Sequence, residues 1–145
     1  MSHTLKLVVF LLLVGLWSCR KKDTVNQTNN PVPSVPVQIN LYPNDPLSFK
    51  IQAIGGWMYV NGGVNGILVY RKSNEEFVAL ERTSSHLPND AKARVVVQSD
   101  NFTLEDTVSK SRWRIFDGTV TQGPATWPLR LYGTTYDGNL LRITN

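Results

Sequence analysis

Beyond residue 37 the chain is a succession of short apolar or alternating runs broken by turn-forming residues. Leu47–Ile51, Trp57–Val60, Ile67–Arg71, Phe77–Arg82, Arg94–Gln98, Phe102–Glu105, Arg112–Ile115, Thr119–Thr121, Leu129–Tyr136 and Leu140–Ile143 all have strand lengths and β-branched or aromatic content. No 11-residue window in this stretch keeps a helical spacing of apolar positions. The pattern predicts an all-β domain over residues 39–145, a small sandwich or barrel of about ten short antiparallel strands.

The breakers sharpen this picture. Asp137-Gly138 and Asp117-Gly118 each sit between two strands and read as tight hairpin turns, whose central residues need positive φ. Five of the ten glycines fall within Gly55–Gly66, where turns and close backbone approach are expected. A phosphate-cradling loop would have to open a helix, and no helical pattern follows. Trp57, Tyr59, Trp113 and Phe116 are expected to give most of the core's bulk, each burial contributing about 1.5–3 kcal/mol. Trp127, in the proline-bounded Gly123–Pro128 loop, has exposed recognition as its alternative to core packing.

The first residues follow another pattern. Lys6 precedes the uncharged run Leu7–Leu16, and Leu16-Trp17-Ser18-Cys19 follows it. Ten apolar residues are too few to span a bilayer, which takes roughly 20, so residues 1–18 read as a cleaved signal. The Leu-x-Ser-Cys stretch resembles the lipobox of bacterial lipoproteins, although Trp17 stands where a small residue is usual. That resemblance implies a mature chain beginning at Cys19, held in the cell envelope, at the outer membrane or periplasmic face, by several acyl chains. Residues 19–38 carry Arg20, Lys21 and Lys22, then Asn, Gln, Thr and prolines 31, 33 and 36, and read as a solvated tether. Asp23-Thr24-Val25 resembles a short O-glycosylation motif of some Gram-negative lipoproteins.

Charge and cysteine count then exclude several functions. The net +4 of the chain is concentrated ahead of residue 37, and Val37–Asn145 holds 11 basic against 10 acidic residues. No basic stripe with interleaved aromatics remains to bind nucleic acid. With Cys19 the one cysteine, and His3 and His86 the two histidines, an intrachain disulfide, a cysteine zinc site and a four-cysteine cluster are excluded.

Several stretches taken together carry a family likeness: Gly66–Arg71 (GILVYR), Glu76–Arg82 (EFVALER), Ser111-Arg112-Trp113, Asp117-Gly118 and Gly123-Pro124-Ala125-x-x-Pro128-Leu129. They resemble a Rieske-type domain, particularly its small lipoprotein representatives, over roughly Pro46–Asn145. In that family a Cys-x-His pair and a Cys-x-x-His pair hold a two-iron two-sulfur cluster beneath a Gly-Pro-Ala loop. The resemblance registers Ser84 and His86 on the first pair and Asp106 and Ser109 on the second, with Lys110 at a glycine position. Three of the four ligand types are thereby replaced, which implies a domain with vestigial cluster-ligand positions, no metal or cofactor and no catalytic residue.

A hydrogen bond from His86 to Asp106 is expected to cross the gap that a cluster would close. Ser84 or Ser109 with His86 and Asp106 has the composition of a hydrolytic triad, but neither a nucleophile elbow nor an oxyanion site accompanies it. Capture of a divalent ion by His86 and Asp106 is a further alternative. The expected function is that of an envelope binding or accessory module, membrane-bound through lipid and serving a protein partner of unknown identity. The alternative is a Rieske electron carrier with an atypical ligand set.

Overall fold

The computed structural model describes residues 27–145. The signal and lipidation expectations at residues 1–19, like Arg20–Lys22 and Asp23-Thr24-Val25, lie outside the described residues. Ten strands form: β1 (Gln38–Leu41), β2 (Trp57–Val60), β3 (Ile67–Arg71), β4 (Phe77–Glu81), β5 (Val95–Val97), β6 (Thr103–Asp106), β7 (Arg112–Arg114), β8 (Val120–Gln122), β9 (Leu131–Tyr136) and β10 (Leu141–Thr144). They make a six-stranded sheet, ordered β1-β10-β9-β4-β3-β2, and a four-stranded sheet, ordered β5-β6-β7-β8. Every strand pair is antiparallel.

The central strands explain how two small cores fit into one domain. Successive strand residues face opposite sides, so β3 sends Ile67 and Val69 to one core and Leu68 and Tyr70 to the other. The first core is completed by Val37, Ile51, Phe77, Ala79, Tyr132, Leu141 and Ile143. The second lies toward the four-stranded sheet and gathers Leu80, Val95, Leu104, Trp113, Ile115, Ala125 and Leu129.

Several sequence expectations are corrected. Leu47–Ile51 belongs to 3-10 turns over Pro46–Ile51 and not to a strand. Asp45 caps them by accepting from the Leu47 N–H at 2.8 Å, and Pro46 supplies a first residue already in helical φ. The solvated tether also ends earlier than residue 38. Val32 and Val37 are buried, and Val32 offers its carbonyl to the buried Arg130 guanidinium. The proline–valine alternation keeps this stretch extended, so its valines reach the core without a sheet partner until β1 pairs with β10.

Aromatic packing divides likewise. Trp113 is fully buried and Trp57 and Tyr59 partly so, whereas Phe116 is 37% exposed with the Arg114 guanidinium 5.0 Å from its ring centre. The Asp137-Gly138 turn is a four-residue connection between β9 and β10 rather than a two-residue one. Gly138 takes positive φ, and the Asp137 carboxylate accepts from the N–H groups of Asn139 and Leu140.

Candidate functional site

Three loops meet at one end of the sheets: 82–94 after β4, 107–111 between β6 and β7, and 123–130 before β9. The side chains that join them are placed by strand alternation. On β6, Leu104 and Asp106 both face inward and are buried. The same alternation turns Ser111, Trp113 and Ile115 inward from the returning strand. An aspartate at an inward strand end beside a buried serine must find hydrogen-bond partners, because burying an unpaired carboxylate is costly.

It finds them in loop 107–111. The Ser109 hydroxyl donates to Asp106 Oδ2, and the Val108 N–H donates to Oδ1 at 3.0 Å. The buried Ser84 hydroxyl lies beside the Asp106 carboxylate and favours its charged form, while its oxygen accepts from the N–H groups of His86 and Leu87 at 3.3 and 3.4 Å. Each hydroxyl has one proton, so with Ser109 donating to Asp106, Ser111 Oγ donates to Ser109 Oγ across 2.9 Å. Ser111 Oγ in turn accepts from the Ala125 N–H at 2.9 Å. Through Ser109 and Ser111 the carboxylate thus ties loop 107–111 to loop 123–130, with Ser84 of loop 82–94 beside it. A second tie lies beside it, where the Trp127 carbonyl accepts from Ser85 Oγ at 2.6 Å and from Trp113 Nε1 at 3.1 Å.

The electrostatics agree with this wiring. Burial pushes the Asp106 carboxyl up, but the bonds from Ser109, Val108 and Ser84 outweigh it and hold the group below the usual carboxylate range. Lys110 takes a left-handed φ of 62°, the conformation in which a glycine is cheapest, and its ammonium pairs with Glu105 at 3.6 Å.

Of the sequence-predicted positions, Ser84, Asp106 and Ser109 are brought together and His86 is not. The His86 side chain is exposed, and the expected His86–Asp106 hydrogen bond is absent among the described residues, the gap being crossed by serines instead. With His86 outside, the Ser-His-Asp triad is not assembled. No three of His, Cys, Asp and Glu are gathered for a metal ion among the described residues.

The glycine-rich stretch has its own explanation. The N–H groups of Val64 and Asn65 point at a carboxylate, as in an anion-binding turn, but the carboxylate is the chain's own fully buried Glu81, at 2.8 and 3.0 Å. Glu81 also accepts from Thr83 N–H and Oγ1 and from the Tyr132 hydroxyl at 2.7 Å. Burial and the Glu81 bond push the Tyr132 phenol well above its ordinary value. A side chain at Gly63 would put its Cβ 2.1 Å from Glu81 Oε2, so glycine is required there.

Sequence reasoning missed Ser85, Ser111 and Glu81. The signal available was period-two alternation, which puts Ser111 on the face of Trp113 and Glu81 on the face of Ala79.

Comparison with known proteins bears on the frame that carries these loops. No family model and no curated protein matches the chain. Among solved structures, it is similar to a chain of the complex of reduced oxygenase and oxidized ferredoxin in carbazole 1,9a-dioxygenase, at 19% identity and a TM-score of 0.50, covering 74% of this chain and 93% of that one. The fold is of the Rieske type. The ferredoxin of carbazole 1,9a-dioxygenase from Nocardioides aromaticivorans IC177 also matches, at 17% identity and a TM-score of 0.49, over 76% of this chain and 97% of that one. At these identities the likeness concerns the fold, and activity has to be argued from the residues at the site.

Proposed function

We propose that this chain is a lipid-anchored envelope protein whose Rieske-type domain carries no iron–sulfur cluster and works as a non-redox binding or accessory module. The observation that carries this reading is the Asp106 clasp: three of the four side chains at the ligand positions are oxygen donors gathered at one place, with Ser109 bonded to Asp106 and Ser84 beside it. Iron–sulfur clusters are gripped by soft, anionic thiolates, and residues 27–145 contain no cysteine. Ser84 and Ser109 are neutral hydroxyls, Ser109 already spent on Asp106, and His86 is exposed, so this donor set does not fit the cluster. The polar ties do by hydrogen bonding what a cluster would do by coordination, which is to hold the loops of this end in register.

The anchor is supported by the lipobox-like Leu16–Cys19 and by Cys19 being the one cysteine of the chain. The hydroxyl protons of Ser109 and Ser111 are committed and His86 is exposed instead of set against a serine as a base, so the domain is not an enzyme on this reading.

The test is made on the full chain expressed in a bacterial host. The expected result is that it enters the detergent phase on Triton X-114 separation, that Cys19→Ala moves it to the aqueous phase, and that its reduced-minus-oxidised visible spectrum is flat. Partition of the unsubstituted chain into the aqueous phase overturns the anchor. A reversible visible redox difference overturns the non-redox role and establishes the alternative, an electron carrier like the ferredoxins it resembles in fold.

A further inference from the structure

The described chain starts at the clasp end of the domain, and this limits how the domain meets a membrane. The Asn30 side-chain amide donates to the Pro128 carbonyl at 3.1 Å, and the Gln27 side-chain oxygen accepts from the Leu131 N–H at 3.4 Å. Arg130 then holds Val32 through its carbonyl. Gln27 is thereby fixed next to the loop that bears Trp127. Seven residues separate it from Cys19, and the eight Cα–Cα steps, at no more than about 3.6 Å each, reach roughly 29 Å.

That end displays the features of a surface that rests on lipid headgroups. Trp127 is 41% exposed although its carbonyl is fixed by Ser85 and Trp113, and Val108 is 47% exposed. Leu87 and Pro88 are half-buried beside His86. Tryptophan is favoured where one part of the ring meets apolar chains and its N–H meets polar headgroups. Lys92, Arg94 and Lys110 are exposed around these loops against Asp90 and Glu105, and Arg20, Lys21 and Lys22 follow the anchor directly, with Asp23 next. This balance suits an anionic bilayer.

The opposite end is more apolar but worse placed. Leu47 is 87% and Phe49 64% exposed there, among Asp45, Glu75, Glu76 and Asp137 against Lys50, Lys72 and Arg142. It lies beyond the length of β9, Leu131–Tyr136, roughly 20 Å from where the tether leaves the domain. To set that end on the bilayer, the tether would use most of its reach running back along the domain.

We propose that the end of the domain bearing Trp127 and Val108 faces the membrane that holds the Cys19 lipid, with the Trp127 indole at headgroup level and the Leu47–Phe49 end pointing away. This rests on the lipid anchor proposed above, and the experiment separates the two. Thr126→Cys and Asn139→Cys are made singly in the full chain. Both sites are exposed, and a lipidated Cys19 leaves the new thiol as the one group that takes a bimane label. The chains are placed in phosphatidylethanolamine–phosphatidylglycerol vesicles with a fraction of headgroup-nitroxide lipid.

The label at 126 is expected to be quenched at least twofold more than the label at 139. Intrinsic tryptophan quenching in the same vesicles is expected to be lost largely in Trp127→Phe. Intact mass of the mature chain decides the anchor independently, and an unacylated Cys19 overturns both readings. An acylated chain with equal quenching at the two sites, or stronger quenching at 139, overturns the orientation alone.

Discussion

Asp106→Ala is expected to lower the stability of the domain by roughly 3 kcal/mol and its Tm by on the order of 10–15 °C. The substitution does more than delete one bond. It leaves the Ser109 hydroxyl and the Val108 N–H without their acceptor, and it cuts the path by which Ser111 and the Ala125 N–H join loop 123–130 to the rest. His86→Ala is the contrasting control, expected to change stability by less than about 0.5 kcal/mol because the ring is exposed.

Asp106→Asn separates charge from shape. The Asp106 carboxyl titrates below its ordinary range in the folded chain, so its contribution is complete above the unfolded value near 3.9 and is lost as pH falls through the folded one. Denaturant titrations at neutral pH and below pH 4 should show this acid-side loss in the parent chain and a flatter profile in Asp106→Asn. A parent chain as stable at the acid end as at neutral pH, with Asp106→Ala unchanged in Tm, would mean that the clasp holds nothing.

Glu81→Ala is expected to cost about 3–5 kcal/mol, a large share of the roughly 5–15 kcal/mol that holds a domain folded. Five donors converge on this fully buried carboxylate: the N–H groups of Val64, Asn65 and Thr83, the Thr83 hydroxyl and the Tyr132 hydroxyl. Truncation leaves them facing an apolar cavity, and the β2–β3 turn loses the group it wraps around. Gly63→Ala attacks the same centre from outside, because its Cβ would fall 2.1 Å from Glu81 Oε2 and 2.6 Å from the Tyr132 hydroxyl, at a φ of +63°. Guanidinium unfolding midpoints measure both. A loss under 1 kcal/mol for Glu81→Ala would show that the turn is held by its glycines alone.

Much of the fold is legible in the chain because most strands announce themselves locally. Ile67–Arg71 and Trp57–Val60 have the bounds that their β-rich runs indicate, and the inward alternation of Leu141 and Ile143 is visible without a structure. Two of the failures share one cause, which is that a long-range partner decides the outcome. β1 is a strand because β10 offers it an edge, and Val32 is buried because Arg130, 98 residues on, holds its carbonyl. Pro46–Ile51 could have been recognised locally, since Asp45-Pro46 is a helix-start signal that the apolar spacing of the following residues obscured.

The site was legible in membership more than in wiring. Ser84, Asp106 and Ser109 do meet, but sequence reasoning gave the bridging role to His86, the one imidazole in reach, where the structure uses hydroxyls. Short hydroxyl side chains can satisfy a buried carboxylate at a strand end without carrying bulk into the core, and nothing in residue type alone says which serine will be near enough. Glu81 shows the same limit. A glycine-rich turn with free N–H groups invites an external anion in the sequence, and three-dimensional proximity puts an internal one there.

Iron and acid-labile sulfide should be determined per chain on protein purified without oxygen from the membranes of its expressing cells. Neither is expected above trace amounts, with Asp106 occupied by Ser109 and the Val108 N–H. Two iron and two sulfide per chain would overturn the non-redox reading directly, since a cluster at these loops cannot coexist with Ser109 bonded to Asp106.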